Sequence, residues 1–108
     1  MKMEISVKYI VLFLTLLAVL AISPVSNAAN IAAGKEKAII ICAACHGDAG
    51  VSPNDDWPNL AGQKNGYLIK QIKAFRDGER VAPLMAPMVR SLTDTDVDNI
   101  AAYYSSLK

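Results

Sequence analysis

The feature that most constrains this chain is the pentapeptide Cys42-Ala43-Ala44-Cys45-His46, which holds both cysteines and the single histidine among 108 residues. Cys-x-x-Cys-His is the attachment pattern of c-type haem. The two thiols add to the vinyl groups of the porphyrin as thioethers, and the two-residue spacer puts both sulfurs on one helical turn. The sequence therefore predicts one covalent haem c, held through Cys42 and Cys45, with His46 as the proximal iron ligand.

Three other chemistries also use closely spaced cysteines. A structural zinc site needs four ligands, whereas this chain offers three and has no second cluster. A thioredoxin-like dithiol needs a sheet, and although residues 38–41 could form one strand, the rest of the chain lacks alternating strand patterns. A structural disulfide, or a pair of inert thiols, is the third alternative. We favour haem attachment over all three.

The N-terminal segment has the pattern of an export signal. Lys2 and Lys8 give it a mildly positive start, and residues 9–22 form a nearly unbroken apolar run of 14 residues. A bilayer span needs about 20 residues. Ser-Asn-Ala at residues 26–28 fits the small-x-small rule for cleavage. We predict a signal peptide over residues 1–28, cleaved near Ala28, with an uncleaved membrane anchor as the alternative.

Residues 29–108 then form a single small domain. This segment carries nine lysines or arginines and nine aspartates or glutamates, so it is neutral and has no basic face for nucleic acid. A domain of this size has a marginal core and usually needs a disulfide, a metal or a large cofactor. Because both cysteines are committed to haem, the porphyrin itself is expected to hold the domain together.

Helical patterns separated by loops predict an all-α domain. The first helix is expected over residues 30–45, where apolar residues recur at helical spacing, and the second over residues 66–75. Between them, residues 51–66 are rich in turn formers and read as a loop. Residues 80–92 are also predicted to be a loop, because Pro83 and Pro87 oppose regular helix.

The third helix has the clearest start signal. Thr93 is a good N-cap, and the aspartates that follow it suit the positive end of the helix dipole. Its apolar face is expected to bury Val97, Ile100, Ala101 and Tyr104.

A haem iron has a second axial position, and the methionines are the candidates for it. No second histidine exists, and Met1 and Met3 belong to the predicted signal peptide. Met85 and Met88 both lie in the proline-containing loop before the last helix. A thioether is a soft ligand that favours ferrous iron. The residues alone do not choose between the two, and the alternative is that both merely pack and the iron has an open sixth position.

The chain resembles the small class I cytochromes c of the bacterial periplasm, and also one half of the dihaem periplasmic cytochromes c. The resemblance covers nearly all of residues 30–108. Its motifs occur in the family order: Gly34, Cys42 to Gly47, Pro-Asn-Leu-Ala-Gly-Gln at 58–63, Tyr67-Leu68, Phe-Arg-Asp-Gly at 75–78, the methionine loop, Leu92-Thr93-Asp94, and Ala-Ala-Tyr-Tyr at 101–104.

The resemblance implies a fold and several residue roles. The fold is that of class I cytochrome c, with three main helices and loops wrapped around one covalently bound haem. Met85, seven residues before Leu92, matches the iron ligand, with Met88 as the alternative. Pro58 matches the proline whose carbonyl accepts the N–H of the proximal histidine. Gly34 matches the glycine where the first and last helices cross.

Two further details concern the contacts of Gly34 and the haem propionates. The glycine at the crossing is expected to contact Ile100 and Tyr103. No residue is assigned to the haem propionates, for which the candidates are Trp57, Tyr67, Gln71 and Arg80.

The resemblance also implies a function. It indicates a periplasmic carrier of one electron with His46 and Met85 as axial ligands, and not an enzyme. Its partners would be redox proteins, namely a membrane or periplasmic donor and a terminal oxidase or reductase, with no nucleic acid and with membrane contact only through partners. We expect a monomer. The alternatives are a haem-bearing subunit of a larger oxidoreductase, and a haem protein whose open sixth site binds gas or peroxide.

Overall fold

The computed structural model describes residue 4, residues 6–19 and residues 28–108. These residues form helices and loops and contain no strand, which confirms the predicted all-α class. The helices are α1 (Val7–Val19), α2 (Ile31–Ile41), α3 (Ala43–His46), α4 (Asn65–Arg76), α5 (Met85–Val89) and α6 (Asp94–Ser106).

The N-terminal helix α1 coincides with most of the apolar run of the predicted signal peptide. Its side chains from Val7 to Leu14 are exposed. Within the described residues, no helix combines the length and the hydropathy that a membrane crossing requires. The predicted cleavage motif begins at residues 26 and 27, outside the described residues, so the signal peptide stays a prediction.

The helix predicted over residues 30–45 is divided in two. The side chain of Asn30 accepts from the Ala33 amide at 3.0 Å and so caps the start of α2. Cys42 separates α2 from α3, with φ −103° and ψ −33°. The helical backbone hydrogen bonds nevertheless continue across Cys42. Its amide donates to the Ala38 carbonyl at 2.8 Å, and the His46 amide donates to the Cys42 carbonyl at 3.0 Å. Gly47, at φ +84°, ends α3.

The crossing of α2 and α6 forms the centre of the domain. Gly34 is buried, and a Cβ at this position would overlap the backbone of Asn99 and Ile100. The expected contact with Ile100 is therefore confirmed, the nearest backbone is that of Asn99, and the expected contact with Tyr103 stays a prediction. Only a glycine permits this approach, which explains why the sequence tolerates its helix penalty of up to about 1 kcal/mol.

The long loop between α3 and α4 is tied to the core by backbone hydrogen bonds. The amides of Leu60 and Ala61 donate to the Gly50 carbonyl at 2.8 and 3.0 Å. The Gly62 amide donates to Tyr104 on α6 at 2.9 Å. These bonds satisfy backbone groups that would otherwise be orphaned and fix the loop against α6.

The prediction that residues 80–92 contain no helix is wrong. Met85–Val89 forms α5, and Pro87 is its third residue. The first N–H groups of a helix have no partner within it, so a proline there forfeits no hydrogen bond. The amides of Met85 and Ala86 instead donate to Ala82, at 3.1 and 3.0 Å, in the turn that leads into α5.

The start of α6 agrees with the prediction. Thr93 is the N-cap, and it forms a capping box with Asp96: the Asp96 amide donates to the Thr93 hydroxyl at 3.1 Å, and the Thr93 amide donates to Asp96 at 3.0 Å. The buried core is formed by side chains of α2, α4, α5 and α6 and of the turn before α6. Its members are Ala38, Leu68, Val89, Leu92, Val97, Ile100, Ala101, Tyr103 and Tyr104.

Candidate haem-binding site

A cavity of about 740 Å³ lies beside this core, next to the attachment pentapeptide. Its volume is within the range of cofactor sites, about 300–1,000 Å³. Cys42, Cys45 and His46 all line it, as do Met85 and Met88. The structure thus brings all four predicted site residues to one cavity, together with the alternative ligand Met88.

His46 is buried and its orientation is fixed by a single hydrogen bond. Its exposed fraction is 7%, and its Nδ1 lies 2.7 Å from the carbonyl oxygen of Pro58. A carbonyl can only accept, so Nδ1 carries the proton and Nε2 keeps a free lone pair. This bond confirms the predicted role of Pro58. A hydrogen bond of this kind orients a ligand imidazole and makes it a better donor to a metal.

The two cysteines lie in different surroundings. Cys45 is exposed and Cys42 is half-buried. Burial raises the pKa of the Cys42 thiol to about 11, while a hydrogen bond with the Tyr104 hydroxyl acts in the opposite direction. A redox dithiol needs a thiol whose pKa is lowered, whereas the pKa of the Cys42 thiol is raised.

The zinc site and the thioredoxin-like dithiol both require features that the described residues do not have. In the described part of the chain, no group of three or more histidine, cysteine, aspartate or glutamate side chains could hold a metal ion. The described residues also lack the sheet on which a thioredoxin-like dithiol depends.

The two candidate methionines differ in burial. Met85, the first residue of α5, is half-buried and packs against the core cluster. Met88 is 43% exposed. A sulfur that binds iron in an apolar cavity must be held there by packing, and Met85 meets this condition better. The assignment of Met85 as the iron ligand stays a prediction.

The rest of the lining fits a flat apolar cofactor. Apolar walls come from α4, α5, α6 and the segments before them, with Leu68, Ile72, Phe75, Pro83, Leu84, Val89, Leu92 and Ile100 among them. The donors available are thiols, an imidazole and thioethers, which is the donor set that holds haem in c-type cytochromes. The residues present therefore fit a haem, which Cys42 and Cys45 would anchor covalently and which His46 would ligate through Nε2.

The sequence did not predict that Tyr104 lines the cavity. Tyr104 was expected only on the buried apolar face of the last helix, whereas its side chain, which is 1% exposed, also forms part of the cavity wall. A Cβ on Gly50, which has φ +74°, would lie 2.9 Å from the Tyr104 ring. Gly50, four residues after the pentapeptide, was the available signal, but nothing local links it to a residue so far along the chain.

All four candidates for the haem propionates also line the cavity. Of these, Arg80 alone carries a charge, and Gln71 hydrogen-bonds to it: Arg80 Nη1 donates to Gln71 Oε1 at 2.8 Å.

Comparison with known proteins agrees with this site. The family described as cytochrome c oxidase, cbb3-type, subunit III matches residues 29–103. Cytochrome c-554(548) of Halomonas halodenitrificans is 50% identical over 82 residues, which cover 73% of this chain and 98% of that protein. Cytochrome c4 of Pseudomonas aeruginosa is 39% identical over 97 residues, which cover 90% of this chain and 48% of that protein.

The solved structures give the same result. The crystal structure of reduced cytochrome c4 from Pseudomonas stutzeri superposes with a TM-score of 0.70 at 39% identity, over 75% of this chain and 47% of that one. The chain therefore spans about half the length of the cytochromes c4 it matches, and nearly the full length of cytochrome c-554(548). The covalent-haem motif, the helical fold and these matches agree, and the chain belongs to the family of class I c-type cytochromes.

Proposed function

We propose that this protein is a one-electron carrier with a single covalent haem c, ligated by His46 and Met85. The observation that carries the proposal is the convergence on one cavity of Cys42, Cys45, a histidine whose Nδ1 is bound to Pro58, and a packed methionine. When bound, haem c supplies a metal centre that accepts and releases one electron.

The residues of the chain prepare the site for that task. Pro58 holds the His46 ring so that Nε2 is free to bind the metal. Packing of Met85 against the core keeps its thioether within the cavity, and a soft sulfur donor favours the ferrous state. Ligated by His46 and Met85, the metal would offer no free position to a substrate. This is the basis for proposing a carrier and not an enzyme.

The proposal includes location and partners. Residues 1–28 would export the chain to the periplasm, where haem is attached, and residues 29–108 would act there as a monomer. Cys45 is exposed beside the cavity, so the attachment edge is open to a redox partner. The partners would be a membrane or periplasmic donor and a terminal oxidase or reductase, met by transient contact.

The test is the spectrum of the purified protein made in a host with haem-attachment machinery. We expect haem to stay on the chain after denaturation, because thioethers are covalent. We also expect low-spin spectra in both oxidation states and, in the oxidised state, the sulfur-to-iron charge-transfer band at the red end of the visible spectrum. Haem that acid acetone extracts completely would refute attachment. A high-spin spectrum would instead support the open-site alternative, which binds gas or peroxide.

A second role, as the haem-bearing subunit of a larger oxidoreductase, is supported by the description of the matching family, which names a subunit of a cytochrome oxidase. Light scattering and affinity purification of the tagged protein from its own membranes separate the two roles. A monomer recovered alone supports a free carrier. Stoichiometric recovery with an oxidase that survives washing in high salt supports a subunit.

A further inference from the structure

One basic side chain borders the haem cavity. Among the lining residues that the structure describes, Arg80 is the only lysine or arginine, and most of its neighbours in the wall are apolar. An anionic group brought against apolar surface needs a charge partner, because burial without one is costly. The wall therefore has one place suited to an anion.

Three contacts fix Arg80 against the wall. Its amide donates to the Ala74 carbonyl at 3.0 Å, which closes the turn after α4. Its guanidinium carbon lies 4.5 Å from the centroid of the Phe75 ring. Its Nη1 donates to Gln71 Oε1 at 2.8 Å. Gln71 and Phe75 line the cavity themselves, so the guanidinium is held along the wall with only one of its five N–H donors used by this hydrogen bond.

A neighbouring arginine shows the contrast. Arg76, the last residue of α4, donates to Asp77 and Asp94 at 2.9 and 2.8 Å and to the Leu92 carbonyl at 3.2 Å. It does not line the cavity. Arg76 thus fastens α4 to the start of α6, whereas the donors of Arg80 are directed to no acidic side chain in the described structure.

We propose that Arg80 binds a haem propionate and that Gln71 and Phe75 position it. The inference rests on the proposed function, since it requires the haem. Propionates are the carboxylate groups at the edge of haem, and a guanidinium pairs with a carboxylate through two parallel hydrogen bonds. Asp56, the one acidic residue of the lining, repels a carboxylate and so offers no competing site.

The test compares the unaltered holoprotein with Arg80→Gln, Arg80→Lys and a control, Arg90→Gln, which changes an exposed arginine outside the cavity wall. Two quantities are measured: the reduction potential, and the ¹³C resonances of haem labelled in the propionate carboxyls. Arg80→Gln should lower the potential, because loss of a nearby positive charge favours ferric iron, and should shift one carboxyl resonance.

The conservative variant separates charge from geometry. Arg80→Lys should restore most of the potential but not the resonance, since an ammonium does not form the paired hydrogen bonds of a guanidinium. Arg90→Gln should change neither quantity. A fall in potential with both resonances unmoved would overturn the proposal, because the charge would then act without contact. Unchanged potential and resonances in Arg80→Gln would overturn it as well.

The two failures are distinguishable. Absence of covalent haem from the unaltered protein refutes the proposed function itself. Should Arg80→Gln not assemble, the unaltered holoprotein decides: a nuclear Overhauser effect between the Arg80 guanidinium and the propionate methylenes supports the proposal, and its absence overturns it.

Discussion

A 2.7 Å hydrogen bond between His46 and Pro58 decides which nitrogen of the only histidine is left for the metal. The bond joins residues twelve positions apart, so the loop after α3 controls the orientation of the ring. Met85, the proposed second ligand, is held differently, by packing against the core. One proposed ligand is therefore positioned by a backbone acceptor and the other by apolar contact.

The two methionines on α5 provide a matched pair of variants. Met85→Ala should lose the sulfur-to-iron band, lower the reduction potential and gain affinity for cyanide, because the sixth position opens. Met88→Ala should keep the band, since Met85 stays in place, and should lose only a little stability, since Met88 is exposed. Optical titration with cyanide and potentiometry measure both. The reverse pattern would move the ligand to Met88, and no change in either variant would refute His/Met ligation.

Gly34 provides a second prediction. Gly34→Ala should destabilise the holoprotein by about 1–3 kcal/mol through overpacking, because its Cβ would overlap backbone atoms of Asn99 and Ile100, which have no rotamer by which to move aside. Gly66 in α4 is the control, since a Cβ there meets nothing within 4 Å. Gly66→Ala should be neutral or stabilising by up to about 1 kcal/mol. Guanidinium unfolding compares the two, and equal stabilities would show that α2 and α6 do not cross at Gly34.

At the scale of elements, the sequence predicted what depends on local pattern. The N-cap Thr93 and the second helix were predicted closely, because capping and apolar spacing are local. The helix α5 was missed, because a proline in the first turn of a helix and a proline in a loop have the same local pattern. The role of Arg80 was left open for a related reason: its contacts with Gln71 and Phe75 arise only once the turn after α4 brings it back.

The capping box at the start of α6 predicts an acid-sensitive element. The Thr93 backbone bond to Asp96, helped by Lys37 at 3.6 Å, holds the pKa of that carboxyl below its ordinary value of 3.8. A carboxyl whose folded pKa is depressed contributes its stability above the ordinary pKa and loses it as the pH falls through the folded pKa. We expect this contribution to be complete above about pH 3.8 and to decline below it, as the pH falls through the lowered pKa of the folded state.

The variant Asp96→Asn isolates this effect. It should be less stable than the parent near neutral pH, and the difference should shrink as the pH is lowered below 3.8. Thr93→Ala should cost about 1 kcal/mol through loss of the cap, with a weaker dependence on pH. Chemical unfolding at several pH values measures all three proteins. A stability difference between Asp96→Asn and the parent that stays constant with pH would contradict the assignment.

At the scale of the whole molecule, the cofactor replaces part of the core. Five of the nine buried core side chains come from α6, and beside this core lies a cavity of about 740 Å³. The cavity is partly open and lined mainly by apolar side chains. An apolar cofactor bound there would extend the buried core and stabilise the domain.

Removal of the anchors tests this dependence. The double variant Cys42→Ala/Cys45→Ala, purified without haem, should lose its sharp thermal transition and much of its helical circular dichroism, because a domain of this size has little core to spare. The holoprotein measured under the same conditions is the control. A cooperative transition of the apo variant close to that of the holoprotein would show that the helices pack without the cofactor.

The crossing of α2 and α6 also sets an order of events. The side chain of Asn99 accepts from the Asn30 amide at 2.7 Å across 69 positions of sequence, so the contact that closes the domain joins the N-cap of α2 to α6. Closure therefore waits until the last helix is available. Until then the attachment pentapeptide belongs to an open chain. We therefore expect its cysteines, one of which is half-buried in the folded domain, to be most accessible to haem-attachment machinery before α6 packs against α2.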